Sequence, residues 1–487
     1  MELLNRKFTS KKERPIKVLQ FGEGNFLRAF VDYMIDIANE NGAFDGDIAM
    51  VKPIVSGNLD RFTRQESQYT VVLRGIADGR ECVVKRQITS VADIVDPYVN
   101  YNKYMEYALL DSLRFVVSNT TEAGIVFDES DSFDSCPPKS YPGKLTKMLY
   151  ERFRHFNGDL NRGLIILPVE LIDDNGTQLK GCVERFSDLW KLDPEFLKWL
   201  DEGCVFCNTL VDRIVTGYPK DEDESLWNEL GYRDELIVTG EPFALWVIES
   251  SKDISNEFPL KKVGLPVIFT DNQKPYKQRK VRILNGAHTS FALASYLSGN
   301  DFVLGSMNDP IIYNFMYKTI YDEVIPTLSL PKTELIAFAD SVIERFKNPY
   351  IHHSLLSISL NSVSKWKARC MPSFLEYIYI YGKIPMHLTF SISALAAFYT
   401  GDEIRECVLI GHRGDGEYKI IDEEIVLKFF AENSNKSAST LMKLFLSDKG
   451  FFGQDLTAIP GVLELSAQYL EDIRKLGMRA AIEKNFS

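Results

Sequence analysis

Three residues able to move a proton and hold an oxygen stand close together in KVRILNGAHTSFALASYLS (280–298): Lys280, Asn285 and His288. On a helix advancing about 100° per residue they point near 0°, 140° and 80°, and so share one side. Such a trio suits hydride chemistry at a secondary alcohol. Oxidation needs a base for the hydroxyl proton as hydride leaves the carbon, and reduction needs the same group as an acid. A lysine serves when burial or a neighbouring cation lowers its pKa from about 10.4 toward roughly 7–8. Asparagine and histidine donors then hold the oxygen as it becomes negative. Gly286 costs a helix about 1 kcal/mol relative to alanine, which suggests that it is there for access. Taken singly, each residue has a plain structural reading: a surface lysine, a solvated asparagine, a buried histidine.

A second feature lies near the start of the chain. In IKVLQFGEGNFLRAFVDYMIDIANE (16–40), an apolar strand, Ile16–Phe21, runs into Gly22-Glu23-Gly24. Phe26, Leu27, Phe30, Val31, Met34, Ile35 and Ala38 then recur at helical spacing, and Asn41-Gly42 ends the helix. Glycines let backbone approach a pyrophosphate, and a helix N-terminus adds N–H donors and a positive dipole end. This is the first strand–turn–helix unit of a dinucleotide-binding fold. An ordinary glycine turn has the same outline. The third glycine of the usual fingerprint is replaced by Leu27, and the strand IAMVKPIV carries Lys52 where a ribose-reading carboxylate usually stands. NAD and NADP are therefore both open on physical grounds.

These residues need elements to carry them. At about 150 residues per domain, 487 residues make two or three domains. Strand candidates at Ile16–Phe21, Ile48–Val55, Tyr69–Arg74, Glu81–Ser90, Arg114–Asn119, Leu164–Val169, Cys204–Thr209 and Val267–Thr270 alternate with amphipathic segments. That alternation predicts an α/β, doubly wound, Rossmann-type domain over 1–270. Beyond it the pattern is mainly helical, with candidates at Lys280–Leu297, Ile311–Val324, Thr333–Phe346, Pro385–Tyr399, Asp422–Glu432 and Leu463–Leu476. The polar stretch DNQKPYKQ (271–278) marks the junction, leaving 271–487 as a helical substrate and catalytic domain.

The residues also resemble a known family. GEGNFLRAFVDY (22–33), SNTTEAGI (118–125), YPGKLTKMLYERF (141–153), CNTLVDRIVTGYP (207–219), KVRILNGAHTS and SISLNSVSKWKAR (357–369) are similar to segments of the polyol-specific long-chain dehydrogenases, the mannitol dehydrogenase family. The resemblance runs from residue 16 to about 480 and is closest to members acting on a keto sugar acid. It implies a metal-independent NAD(P)-dependent oxidoreductase with its site in the cleft between a Rossmann-type and a helical domain. The expected reaction is reversible reduction of D-tagaturonate to D-altronate with NADH. Fructuronate reduction and mannitol or hexitol 2-dehydrogenation are the alternatives within the class, and a non-catalytic dinucleotide-binding protein the alternative outside it. By the resemblance, Lys280 is the general acid/base, Asn285 and His288 are oxyanion donors, and Asn208 is a further donor from the other domain. Phe21, Gly22, Gly24, Asn25, Phe26, Arg28, Asn119 and Thr120 are the expected cofactor contacts. Lys365 matches a substrate-contacting lysine. The Arg and His that mannitol-type members place just before it are replaced here by residues of Ser357–Leu360.

A sugar acid brings a carboxylate, which asks for a cation, preferably arginine. The net charge is −12, so cations must be concentrated locally, and Lys365 with Arg369 is the best placed group. The same acidic balance argues against a nucleic-acid binder. Seven scattered cysteines fit a reducing cytoplasm, and MELLNRKFTSKKERP lacks the apolar core of a signal peptide. No membrane span is expected, and a monomer or small homo-oligomer is. Cys204-x-x-Cys207 has no second Cys/His pair nearby, and His352-His353 would diverge on a helix, so no metal site is expected. Arg213, beside Asp212, reads as a substrate contact or a structural ion pair.

Overall fold

The computed structural model describes residues 1–120, 123–401 and 403–486. The chain divides into two compact units, Met1–Gln273 and Lys274–Ser487. The change falls inside the polar stretch 271–278.

The first unit is built on six parallel strands: β1 (Ile16–Phe21), β2 (Asp47–Val51), β5 (Val91–Val95), β6 (Phe115–Ser118), β7 (Ile165–Pro168) and β8 (Val205–Phe206). Their order is β5-β2-β1-β6-β7-β8. Side chains alternate between two cores. Val18, Ile48, Met50, Phe115, Val117, Ile165 and Leu167 pack on one face with Phe30, Met34 and Ala38 of the first helix. Leu19, Phe21, Ala49, Val51, Val116 and Ile166 pack on the other with Leu145, Met148 and Leu149 of Tyr141–His155 and Leu179 and Val183 of Asn175–Leu189. Strands buried on both faces explain the continuous apolar runs in the sequence. Successive strands are laid to one side of β1 and then the other, so a crevice forms where the order reverses, at the carboxyl ends of β1 and β6.

Two accessory sheets break the plain alternation. β3 (Tyr69–Ala77) and β4 (Arg80–Ile88) form an antiparallel pair extended by β10 (Val215–Gly217) and β11 (Val238–Gly240). The expected strand Cys204–Thr209 is in fact two. Cys207 makes the last bond to the parallel sheet, its N–H donating to Ile166 O at 2.9 Å. The chain then leaves as β9 (Asn208–Asp212), antiparallel to β12 (Leu245–Glu249), with β13 (Val267–Thr270) completing that sheet. β5 was not expected: the strand foreseen over Glu81–Ser90 corresponds to β4, and the short run Val91–Val95 after it forms a further strand.

The second unit is mainly helical. At its centre Gly286–Leu297 is buried almost all round, with Ala287, Phe291, Ala292, Leu293 and Ala294 in the core. Met386–Phe398, Pro310–Lys318 and Ser362–Arg369 are among the helices packed on it. A small antiparallel sheet, Ile404–Arg405, Val408–Arg413 and Gly416–Ile420, interrupts the helical pattern and was not expected. No helix among the described residues is long and apolar enough to cross a membrane.

Candidate active site

The glycine turn is held by its neighbours. Gly22 has φ +125°, and a Cβ there would lie 3.0 Å from Asn119 O, so the position needs glycine on both conformational and steric grounds. Gly24 differs: a Cβ built on it meets nothing within 4 Å. That open space lies directly before the helix N-terminus, with Gly24 itself as the N-cap residue. Open space, a helix end and a strand-order reversal together fit a dinucleotide pyrophosphate. Phe21 belongs to the core beneath, its ring 4.8 Å from that of Tyr141, and Phe26 stacks on Phe30 at 5.0 Å.

Arg28, expected as a cofactor contact, is buried and directed elsewhere. Its guanidinium donates to Glu23 O at 3.1 Å, Leu236 O at 2.5 Å and Asn25 Oδ1 at 2.7 Å. It braces the turn from behind, and it also fixes Asn25. Asn119 and Thr120 follow β6 at the crevice. Asn119 donates from its side chain to Val169 O at 3.2 Å, while Thr120 donates through N and Oγ1 to Glu170 Oε1 at 3.0 and 2.9 Å. Glu170 is buried, and burial raises its pKa. Its role in setting the β6 loop could have been suspected from the single carboxylate in GLIILPVELI. Thr121 and Glu122, the centre of SNTTEAGI, lie outside the described residues.

Asn208 opens β9. Its Oδ1 accepts from Thr177 N at 2.9 Å, satisfying a first-turn donor of Asn175–Leu189, and its Nδ2 donates to Glu249 Oε1 at 3.0 Å. The amide is thereby oriented, with a second N–H on the same nitrogen. Arg213 is turned toward backbone carbonyls. Its guanidinium donates to the carbonyls of Phe243, Ala29 and Pro242 at 2.9, 2.6 and 3.0 Å. Cys204 and Cys207 are buried, which pushes both thiols up to about 12 and leaves them unreactive. Among the described residues no three His, Cys, Asp or Glu side chains gather as metal ligands.

In the second unit, Lys280–Asn285 is a π-helical stretch running into α-helix at Gly286. This corrects the uniform α-helix assumed from the sequence. With i→i+5 bonding the chain turns less per residue, so residues five apart diverge by less than the about 140° of an α-helix. The Gly286 N–H donates to Val281 O within this turn. Lys280 and Asn285, both half-buried, are therefore closer to one side of the helix than α-helical spacing would put them. Gly286 has a different reason from the one expected. A Cβ there would lie 3.3 Å from Arg369 O, so the glycine permits close packing against Ser362–Arg369.

His288 follows on the same helix. Its ring stacks on Phe346 at 4.3 Å, and its Nε2 is shut off from solvent without a hydrogen-bond partner among the described residues. Burial, reinforced by the nearby His353, Arg345, Arg369 and Lys365, holds its pKa well below the usual histidine value, so the imidazole is neutral. Lys365 and Arg369 are two of the residues expected from the sequence, whereas Arg345 and His353 were not expected there. Lys365 Nζ donates to Ile358 O at 3.0 Å, and Arg369 reaches Thr289 Oγ1 at 3.4 Å. Burial lowers the pKa of both. His353 was overlooked because adjacent histidines diverge on a helix, whereas this segment is not helical.

Family models match nearly the whole chain: the mannitol dehydrogenase Rossmann domain over residues 16–262 and the mannitol dehydrogenase C-terminal domain over 272–474. The chain is 42% identical to an altronate oxidoreductase of Yersinia enterocolitica over 490 residues, covering 99% of each. It is likewise 42% identical to that of Pectobacterium carotovorum over 494 residues, again covering 99% of each. Among solved structures, D-sorbitol dehydrogenase in substrate-free form superposes with a TM-score of 0.80 at 20% identity, covering 99% of this chain and 100% of that one. Pseudomonas fluorescens mannitol 2-dehydrogenase, in a ternary complex with NAD and D-mannitol, gives 0.65 at 20% identity, covering 99% of both chains. These two likenesses establish the architecture. With both family models matched and full-length relatives at this identity, the chain belongs to the mannitol dehydrogenase family of oxidoreductases.

Proposed function

We propose that the protein reduces D-tagaturonate to D-altronate with NADH, reversibly, in the cytoplasm. The observation that carries this reading is the 42% identity to altronate oxidoreductases across 99% of both chains. The glycine turn and crevice of the first unit support a nicotinamide dinucleotide as cofactor, and the helix 280–297 supports proton transfer at the substrate oxygen.

Bound nicotinamide supplies the hydride to the ketone carbon. Lys280, as the ammonium, gives its proton to the oxygen as negative charge grows there, and in the oxidative direction its amine takes the proton back. Asn285 donates from its amide to the same oxygen. His288 stays neutral, so it acts as a dipolar donor and does not compete with Lys280 for the proton. The second N–H of Asn208, whose orientation is set by Glu249 and Thr177, adds a further donor. Lys365 and Arg369 take the carboxylate of the sugar acid, which suits an acidic protein that must concentrate cations at one place.

The test is NADH consumption with tagaturonate, fructuronate and fructose in parallel. The expected result is a kcat/KM for tagaturonate well above the other two. Preference for fructose would overturn the sugar-acid assignment. Cofactor binding without turnover of any of the three would favour a non-catalytic role.

A further inference from the structure

The carboxyl ends of three neighbouring strands bring charged residues into one row. β1 pairs with β2 through Phe21↔Val51, and β2 pairs with β5 through Val51↔Val95. The register continues one step beyond the strands: Gly22 N donates to Val51 O and Lys52 N to Val95 O, each at 3.0 Å. The next residues in the row are therefore Gly22 leading to Glu23, then Lys52, then Asp96. Lys52 is 3% exposed, and its Nζ donates to Asp96 Oδ2 at 2.7 Å and to Val55 O at 3.1 Å. Asp96 Oδ1 in turn accepts from Tyr98 N at 2.9 Å, so the carboxylate is fixed from both sides. A cavity of about 750 Å³ opens against this pair, lined among others by Asn58, Tyr98 and Asn100. Glu23 Oε2 is buried without a hydrogen-bond partner among the described residues.

In dinucleotide-binding folds an acid at the end of the second strand bonds the ribose 2′-hydroxyl, while a cation there accommodates a 2′-phosphate. Lys52 stands at that place and by itself points to a phosphate. Its charge is already matched by Asp96, however, and Glu23 lies in the turn alongside. A 2′-phosphate entering here would meet the carboxylates of Asp96 and Asp60, with Lys52 already held by Asp96 and the cavity's other lysine, Lys103, already held by Asp93 at 2.8 Å. We infer that Asp96, delivered from the edge strand β5 and anchored by Lys52, takes over the missing acid's role by accepting the adenosine ribose hydroxyls, so that the pocket selects NAD(H) over its 2′-phosphorylated counterpart. The inference rests on the reading that the first unit binds a nicotinamide dinucleotide.

Calorimetric titration of the full chain with ADP-ribose and with 2′-phospho-ADP-ribose separates the two levels without any turnover. The wild type should bind ADP-ribose at least about thirtyfold more tightly, the scale of a lost charged hydrogen bond. Asp96→Asn should shrink that ratio at least about tenfold, mostly by tighter binding of the 2′-phospho form to the released Lys52. Lys52→Met should weaken ADP-ribose without improving 2′-phospho-ADP-ribose. Equal wild-type affinities, or an unchanged ratio in Asp96→Asn, would overturn the assignment while leaving dinucleotide binding intact. Failure of both fragments to bind the wild type would overturn the underlying reading and the inference with it.

Discussion

The His288 ring meets that of His353 edge-on, with centroids 4.9 Å apart and planes 80° from parallel. Burial lowers the pKa of both, and His353 adds to the lowering at His288. The folded state thus binds fewer protons than the unfolded chain at and below a pH of about 6.5. Stability is then fully present above that pH and declines as pH falls through it. Urea midpoints measured from pH 7.5 to 5 should fall, and His288→Gln should flatten the fall. An unchanged slope in the variant would show that His288 does not contribute.

Asp32 should act in the opposite sense. It is buried, accepts from Tyr69 Oη at 2.6 Å, and burial pushes its pKa up to about 7. The folded state here holds a proton that the unfolded chain has already lost above the ordinary carboxylate pKa of about 3.9. Its contribution is present at low pH and is lost as pH rises toward 7. Asp32→Asn should gain stability relative to wild type at pH 8 and lose that advantage near pH 4. Equal pH dependence of the two proteins would count against this assignment.

Lys280→Ala should lower kcat by about 10²- to 10⁴-fold, the usual contribution of a positioned acid or base, while NADH affinity stays within about twofold of wild type. Pre-steady-state hydride transfer at several pH values is the measurement. Retention of the wild-type rate would remove Lys280 from the proton path.

The two glycines of the first turn should fail differently. Gly24→Val should fold normally, because nothing lies within 4 Å of its Cβ, yet lose NADH binding as the branched side chain fills the pyrophosphate's place. Gly22→Val should be destabilised by about 1–3 kcal/mol, since its φ of +125° is strained for any side chain and Asn119 O stands 3.0 Å from the new Cβ. Thermal unfolding with and without NADH distinguishes the two.

Arg369→Met should raise KM for the sugar acid by roughly tenfold, with little change for a neutral ketose, as expected for loss of a charged hydrogen bond. A parallel rise for both substrates would mean that Arg369 holds the helix packing at Gly286 and not the carboxylate.

Local chemistry made much of the molecule legible in advance. Strand β1 has the bounds expected of an apolar run stopped by glycine, and the helix after it follows its own apolar spacing. Lys280, Asn285 and His288 share a helix because they are close in the chain, so their grouping needed no tertiary information. The charged row at Lys52 and Asp96 was invisible, since it depends on which strand lies beside β2. The split at Cys207 was equally hidden, because apolar residues suit either sheet and only hydrogen-bond partners decide between them.

Periodicity and glycine placement, which act over a turn or a strand, were thus enough to specify the doubly wound core and the turn before its first helix. The π-helical stretch that carries Lys280 and Asn285, the neutral state of His288 and the packing reason for Gly286 belong to the folded protein alone. Each depends on groups far away in the chain, brought near by burial, and a linear reading carries no information about distance across a core.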